Sequence, residues 1–210
     1  MENRAALIMI DMQNGFLDPA SPCCIAGAAA TVPACAEVLR FCRATGVPVF
    51  FVTRRYRADG SNVEHTRYPA WAGGGKPISP GCAEAISDAM PEAFGSDARD
   101  YHVIKPRFSA FFGTELDLML RRLGVRTIVL AGTTTPNCIR TTCYDGISLE
   151  YNVAVLTDCT SSATDEIQRS NLRDIEAIGA QLLSGADWIS GAVTLRDNAA
   201  AVQAAVRQGR

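Results

Sequence analysis

Apolar and polar positions alternate along this chain in two distinct patterns. Ala6–Asp11 (ALIMID) is an unbroken apolar run, the pattern of a strand buried on both faces of a parallel sheet. Val47–Thr53 (VPVFFVT), Tyr101–Lys105, Thr127–Ala131, Val153–Leu156 and Gln181–Leu183 read as five further strands, the third of the six ended by Pro106. Helical stretches separate them. Pro33–Thr45 sets Val38, Leu39 and Cys42 on one face and stops at Gly46. Thr114–Leu123 carries a Thr cap and a basic last turn, both favourable, and stops at Gly124. Cys138–Glu150 and Thr164–Ile178 complete the set. This alternation predicts an α/β fold, a three-layer α/β/α domain with a six-stranded, mostly parallel sheet and helices on both faces.

One segment breaks the rhythm. Residues 54–100 form too long a connection for a simple crossover and include RRYRADGSNVEHTRYPAW and the flexible GGGKP. Long connections in compact domains are often lids or binding loops, so a lid-like segment is expected; the alternative is a connection that simply carries an extra helix, such as Gly81–Met90. The C-terminal DNAAAVQAAVRQGR reads as a small helix or a frayed tail. No internal repeat is evident, and 210 residues suit a single domain over 1–210.

Composition narrows the class. Hydrophobic residues make up 48% of the chain and charged residues 20%, which excludes a disordered protein. The formal net charge of -2 gives no electrostatic reason to expect nucleic acid or an anionic membrane. The first apolar run is too short for a secretion signal, and no stretch approaches the roughly 18 apolar residues of a membrane span, so a cytoplasmic location is expected. The 8 cysteines form no paired CxxC spacing, and most read as reduced, buried small hydrophobes.

Candidate chemistry gathers at strand ends. In an open parallel sheet, ligands bind beyond the carboxyl ends of the strands. Asp11 ends the first strand, Lys105 the third, and Cys138 follows the fourth. Each alone has a plain alternative: a cap on the Asn14–Gly15 turn for Asp11, a solvated side chain for Lys105, a core thiol for Cys138. Those alternatives do not explain why all three share one edge of one sheet. Cys138 sits in VLAGTTTPNCIRTTC where a strand turns into a helix. A thiol at a helix N-terminus is expected to have a lowered pKa, and the free N–H groups there can hold an oxyanion. A histidine base is poorly placed. His102 lies three residues from Lys105 on the same strand and points to the opposite face, and His65 lies in the long connection. Asp11 is the better base. The arginines at 54, 55, 57 and 67 suggest a polar or anionic substrate, or simply a solvated face.

IDMQNGF around Asp11, VIKPRFSAFFGTEL around Lys105 and LAGTTTPNCIRTTCYDG around Cys138 together resemble the signature of the isochorismatase-like cysteine hydrolases, over roughly Ala6 to Leu183. That group includes nicotinamidases, N-carbamoylsarcosine amidases, ureidoacrylate amidohydrolases and streptothricin hydrolases. The resemblance implies a Rossmann-like sheet and an Asp11–Lys105–Cys138 triad. It also implies a cis peptide at Thr133–Thr134 that aims the Thr134 N–H, with that of Cys138, at an oxyanion hole. It places Gln13 and Phe16 near the pocket, with Trp71, Phe108 and Tyr144 as further candidates for an apolar wall. Asp158, also at a strand end, reads first as a cap on the following Thr/Ser turn. The implied activity is cleavage of a small-molecule amide or ureido bond through a thioester, without a cofactor, in a homo-oligomer (dimer or tetramer). Nicotinamidases carry an Asp-x-His…His metal set after the second strand. TRRYRADGSNVEHTRYPAW lacks it, so no metal is expected. A lactam hydrolase of the streptothricin hydrolase type and a non-catalytic redox or partner-binding member remain alternatives.

Overall fold

The structure is a computed structural model, and it describes residues 5–209. Six strands form one sheet: β1 (Ala5–Ile10), β2 (Val49–Arg54), β3 (Tyr101–Lys105), β4 (Thr127–Thr133), β5 (Asn152–Ser161) and β6 (Gln181–Leu183). Their order is β3-β2-β1-β4-β5-β6, and every pair is parallel. The chain winds outward from β1 to β3, returns to lay β4 against the other side of β1, and winds outward again. The winding direction therefore reverses between β1 and β4, and in such sheets the crevice beyond the strand ends at that reversal takes the ligand.

Among the described residues there are eight α-helices, several of which cover the sheet: α1 (Asn14–Leu17), α2 (Ala28–Thr45), α3 (Tyr68–Gly73), α4 (Leu116–Arg122), α5 (Arg140–Ser148), α6 (Asp165–Ala177), α7 (Gly185–Ser190) and α8 (Ala199–Gln208). Successive strand side chains point to opposite faces. Ile8 and Ile10 of β1 join Val52, Leu130 and Val155 beneath Leu116, Leu120, Cys143 and Ile175 of α4, α5 and α6. Leu7 and Met9 face the other way, against Val38, Leu39 and Cys42 of α2 and Trp188 of α7. Each such aliphatic side chain taken fully out of water stabilises the fold by about 1.5–3 kcal/mol.

Element bounds depart from the sequence reading in instructive places. Helix α2 begins at Ala28, five residues before Pro33, because an alanine run nucleates it and a proline near the start costs only one backbone bond. Gly46 ends it with φ 74°, in the left-handed region. The Thr cap of α4 is displaced: Glu115 takes the cap position, and Thr114 Oγ1 accepts from the Leu116 N–H at 3.3 Å. Strand β5 runs on to Ser161. Its register against β4 jumps from Leu130↔Val155 to Gly132↔Thr160: its first half lies between β4 and β6, and its last residues pair only with the end of β4.

The extra helix at Gly81–Met90 is not formed; only Glu84–Ile86 makes a single tight turn. The backbone of this stretch is bonded to other segments instead. Ile86 O accepts from the Ile78 N–H at 2.7 Å, Ser87 O from Gly15 at 2.9 Å and Ala89 O from Asn14 at 2.7 Å. The last two bonds lash the 54–100 segment to the residues just after β1. The segment also carries a hydrophobic cluster of Tyr56, Val63, Trp71 and Ile78, closed by Phe16.

Candidate active site

Strand β1 delivers Asp11 at its carboxyl end. The residue adopts φ 52°, a left-handed conformation that Asp tolerates better than most residues. Next door, Gly132 of β4 has φ 114°, and a Cβ there would lie 2.0 Å from Ile10 O. Only glycine lets β1 and β4 run this close just where both leave the sheet.

Lys105 comes from the end of β3, and its ammonium is fully buried. Nζ lies 2.7 Å from Asp11 Oδ2, donates to Cys138 Sγ at 3.4 Å and to Arg107 O at 3.1 Å. The ammonium thus donates to two partners and is ion-paired with Asp11, neither of whose buried carboxylate oxygens accepts a hydrogen bond. The three polar residues singled out at separate strand ends thus converge on one buried cluster.

Cys138 does not open an α-helix. It is the fourth residue of a wide π-type turn, Thr135–Ile139, and α5 starts only at Arg140. The expected lowering of its pKa is not found either. Burial pushes the thiol up to about 11, the neighbouring Asp11 carboxylate pushes in the same direction, and Lys105 and Arg54 only partly offset this. In the free protein the sulfur is therefore a thiol within hydrogen-bonding reach of a carboxylate, rather than a standing thiolate.

The turn before Cys138 is fixed from β5. The Thr133–Thr134 peptide is cis. Thr134 Oγ1 and Thr135 Oγ1 donate to Ser161 O at 3.1 and 3.0 Å, and Ser161 Oγ donates to Thr133 Oγ1 at 2.9 Å. The strand jump in β5 therefore has a use: it carries Ser161 back to hold three successive threonines.

The remaining candidates divide. Phe16 and Trp71 line a cavity of about 100 Å³ together with Arg54, Tyr56, Arg67 and Ile78. The Trp71 indole N–H is anchored on Pro77 O at 3.0 Å. Phe108 packs over the guanidinium groups of Arg54 and Arg67, with centroid distances of 5.1 and 5.6 Å. Gln13 is buried, and its amide is engaged on backbone: Nε2 donates to Arg54 O at 2.9 Å and Asp88 O at 3.2 Å, while Oε1 accepts from the Arg54 N–H at 2.8 Å. Tyr144 is exposed on α5 against Arg140, away from the cavity. Asp158 caps α7 through the Gly185 N–H at 2.7 Å rather than the turn after its own strand. His65 and His102 are exposed, the latter stacked on Phe51. Among the described residues, no three His, Cys, Asp or Glu side chains gather where they could hold a metal ion.

Arg54 is the residue the sequence undervalued. Its side chain is 1% exposed although it ends β2 beside the cavity. Nη1 donates to Tyr56 Oη at 2.8 Å and to Glu64 Oε1 at 2.5 Å, and Tyr56 Oη donates to Glu64 Oε2 at 2.8 Å. Nε and Nη2 have no hydrogen-bond partner. Leaving buried donors unmet costs about 1–3 kcal/mol each, more for charged groups. The arginine cluster hinted at such a group, but its brace, ten residues on in an irregular segment, has no periodic signal.

A doubly wound sheet with carboxylate, ammonium and thiol buried together at its reversal defines a class of cysteine hydrolase. The chain belongs to the isochorismatase family, whose Isochorismatase domain model matches residues 5–187. It is 37% identical over 185 residues to a probable inactive nicotinamidase of Arabidopsis thaliana, covering 87% of this chain and 93% of the relative. It is 30% identical over 199 residues to the ureidoacrylate amidohydrolase RutB of Azorhizobium caulinodans, covering 87% of this chain and 88% of that one. An isochorismatase family protein from Desulfovibrio vulgaris has a similar crystal structure, with a TM-score of 0.83 and 38% identity over 89% of this chain and 97% of its own. No helix among the described residues is long and apolar enough to cross a membrane.

Proposed function

We propose that this protein is a cysteine-dependent amidohydrolase that cleaves a C–N amide or ureido bond of a small molecule. The observation that carries the reading is the buried trio: Lys105 Nζ stands 2.7 Å from the Asp11 carboxylate and 3.4 Å from the Cys138 sulfur. The similarity to a ureidoacrylate amidohydrolase supports the amide as the bond cleaved.

In this reading Asp11 takes the thiol proton as Cys138 Sγ attacks the carbonyl carbon. The oxyanion that forms is received by the N–H groups of Thr134 and Cys138, on the turn held by Ser161. Asp11 then gives its proton to the leaving nitrogen, the C–N bond breaks, and ammonia or an amine departs from a thioester. Water, deprotonated by Asp11, attacks the thioester, and the returning proton restores the Cys138 thiol and frees the acid. Lys105 steadies the negative charge wherever it stands. Phe16 and Trp71 supply the apolar wall, and the 54–100 segment covers the site as a lid. Gln13 acts by tying Arg54 and Asp88 to the end of β1 rather than by touching substrate.

The test is an ammonia-release screen over small primary amides, ureas and carbamoyl compounds with wild-type and Cys138→Ala protein. Turnover should fall on the order of 10⁶-fold in the variant, as for loss of a covalent nucleophile. A variant that keeps most of its activity rules out the thioester route.

A further inference from the structure

The unmet donors of Arg54 are not two arbitrary atoms. Nε–H and Nη2–H lie on the same side of the planar guanidinium and point in parallel, forming the edge that matches the two oxygens of a carboxylate. The opposite end, Nη1, is held by Glu64 and Tyr56. The ring faces of Tyr56 and Phe108 lie 5.7 and 5.1 Å from Cζ. Gln13 fixes the backbone from both sides of the residue. A charged side chain that is braced at one end, packed against two rings and shut off from water is unable to swing away to satisfy its free edge elsewhere.

The charges around it favour an anion. Arg67 lines the same cavity as a second guanidinium, and Glu64, the carboxylate bonded to Arg54, spends both oxygens on Arg54 and Tyr56. Asp11 also acts on Arg54 electrostatically but is itself matched by Lys105.

We propose that the Nε/Nη2 edge of Arg54 is a carboxylate-binding subsite, so that the preferred substrates are short amides whose other end carries a carboxylate. The substrate half of this statement rests on the amidohydrolase reading; the anion-binding half does not. Arg54 is then a specificity-determining residue, and Glu64 and Tyr56 are positioning residues that act through it.

Two measurements test it separately. The first compares kcat/KM for succinamate, an amide with one free carboxylate, with that for succinamide, its neutral diamide. Wild-type protein should prefer succinamate, and Arg54→Lys, which keeps the charge but loses the planar fork, should cut that preference at least about 30-fold. Arg67→Gln should reduce it by less. The second titrates succinate into Cys138→Ala protein by calorimetry, where no turnover is involved. Succinate should bind, and adding Arg54→Lys, or the charge-balanced pair Arg54→Gln with Glu64→Gln, should weaken binding by a similar factor. If no amide is turned over while succinate still binds through Arg54, the catalytic reading fails and the subsite stands. A wild-type enzyme that prefers the neutral diamide, succinate binding untouched by the Arg54 variants, or a larger loss from Arg67→Gln overturns the proposal. Should every Arg54 variant misfold, the wild-type preference and the succinate titration of Cys138→Ala decide it.

Discussion

Replacing Asp11 by asparagine should affect the sulfur and the turnover in opposite senses. The carboxylate is one of the groups that push the Cys138 thiol up to about 11, while Lys105 and Arg54 pull it down. Removing the negative charge leaves both cations acting on the sulfur, so the thiolate fraction at pH 8 rises. Iodoacetamide should therefore alkylate Cys138 faster in Asp11→Asn than in wild type. Amide turnover should nonetheless fall by about 10²–10⁴-fold, because the proton acceptor and donor is gone. Mass-spectrometric labelling rates and an ammonia assay on the same samples check both halves. A variant that labels more slowly contradicts the assignment of Asp11 as a group that, beside burial, raises the thiol pKa. The sequence made Asp11, Lys105 and Cys138 legible because each follows an apolar strand. It misjudged the state of the sulfur, because burial, which dominates the thiol pKa, is a property of the packed protein and not of a turn motif.

At the scale of the element, the joint between β1 and β4 is the least forgiving place in the fold. Gly132→Ala would drive a Cβ into Ile10 O at 2.0 Å, a backbone atom that has no rotamer to yield. The variant should fail to fold, or melt many degrees lower, and circular dichroism with thermal melts will show which. Thr135→Val is the milder probe of the neighbouring turn. It removes the 3.0 Å bond to Ser161 O, which should cost about 1 kcal/mol of stability and a larger share of kcat than of KM. Tyr101–Lys105 and Gln181–Leu183 were readable to the residue, the first because Pro106 marks its end. The second half of β5, TDCTS, was not, because it is mostly polar and pairs only with the end of β4, after a jump in register. GCAEAISDAM carries good helix formers and still forms no helix; its later residues are bonded instead to Ile78 and to the distant Asn14 and Gly15.

At the scale of the whole molecule, buried thiols couple folding to alkaline pH. Burial pushes Cys42 and Cys143 up to about 12, as it pushes Cys138 up to about 11. In the unfolded chain the same groups titrate near 8.5. Above that value the unfolded state holds fewer protons than the native one, so stability falls as pH rises toward the native pKa values. Each thiol subtracts roughly 1.4 kcal/mol per pH unit across that window. Urea midpoints should therefore drop steeply between pH about 8.5 and 11, and Cys143→Ala should flatten the slope even though it weakens the protein at neutral pH. An unchanged slope would mean that Cys143 meets solvent in the native state. The buried ammonium at the centre of the fold has a consequence of its own. Lys105 is shut off from solvent and stands against both donor and acceptor of the travelling proton. When that proton crosses from sulfur to oxygen, the pocket's electrical sum is the same before and after. The chemistry can begin without admitting a single water to rebalance it.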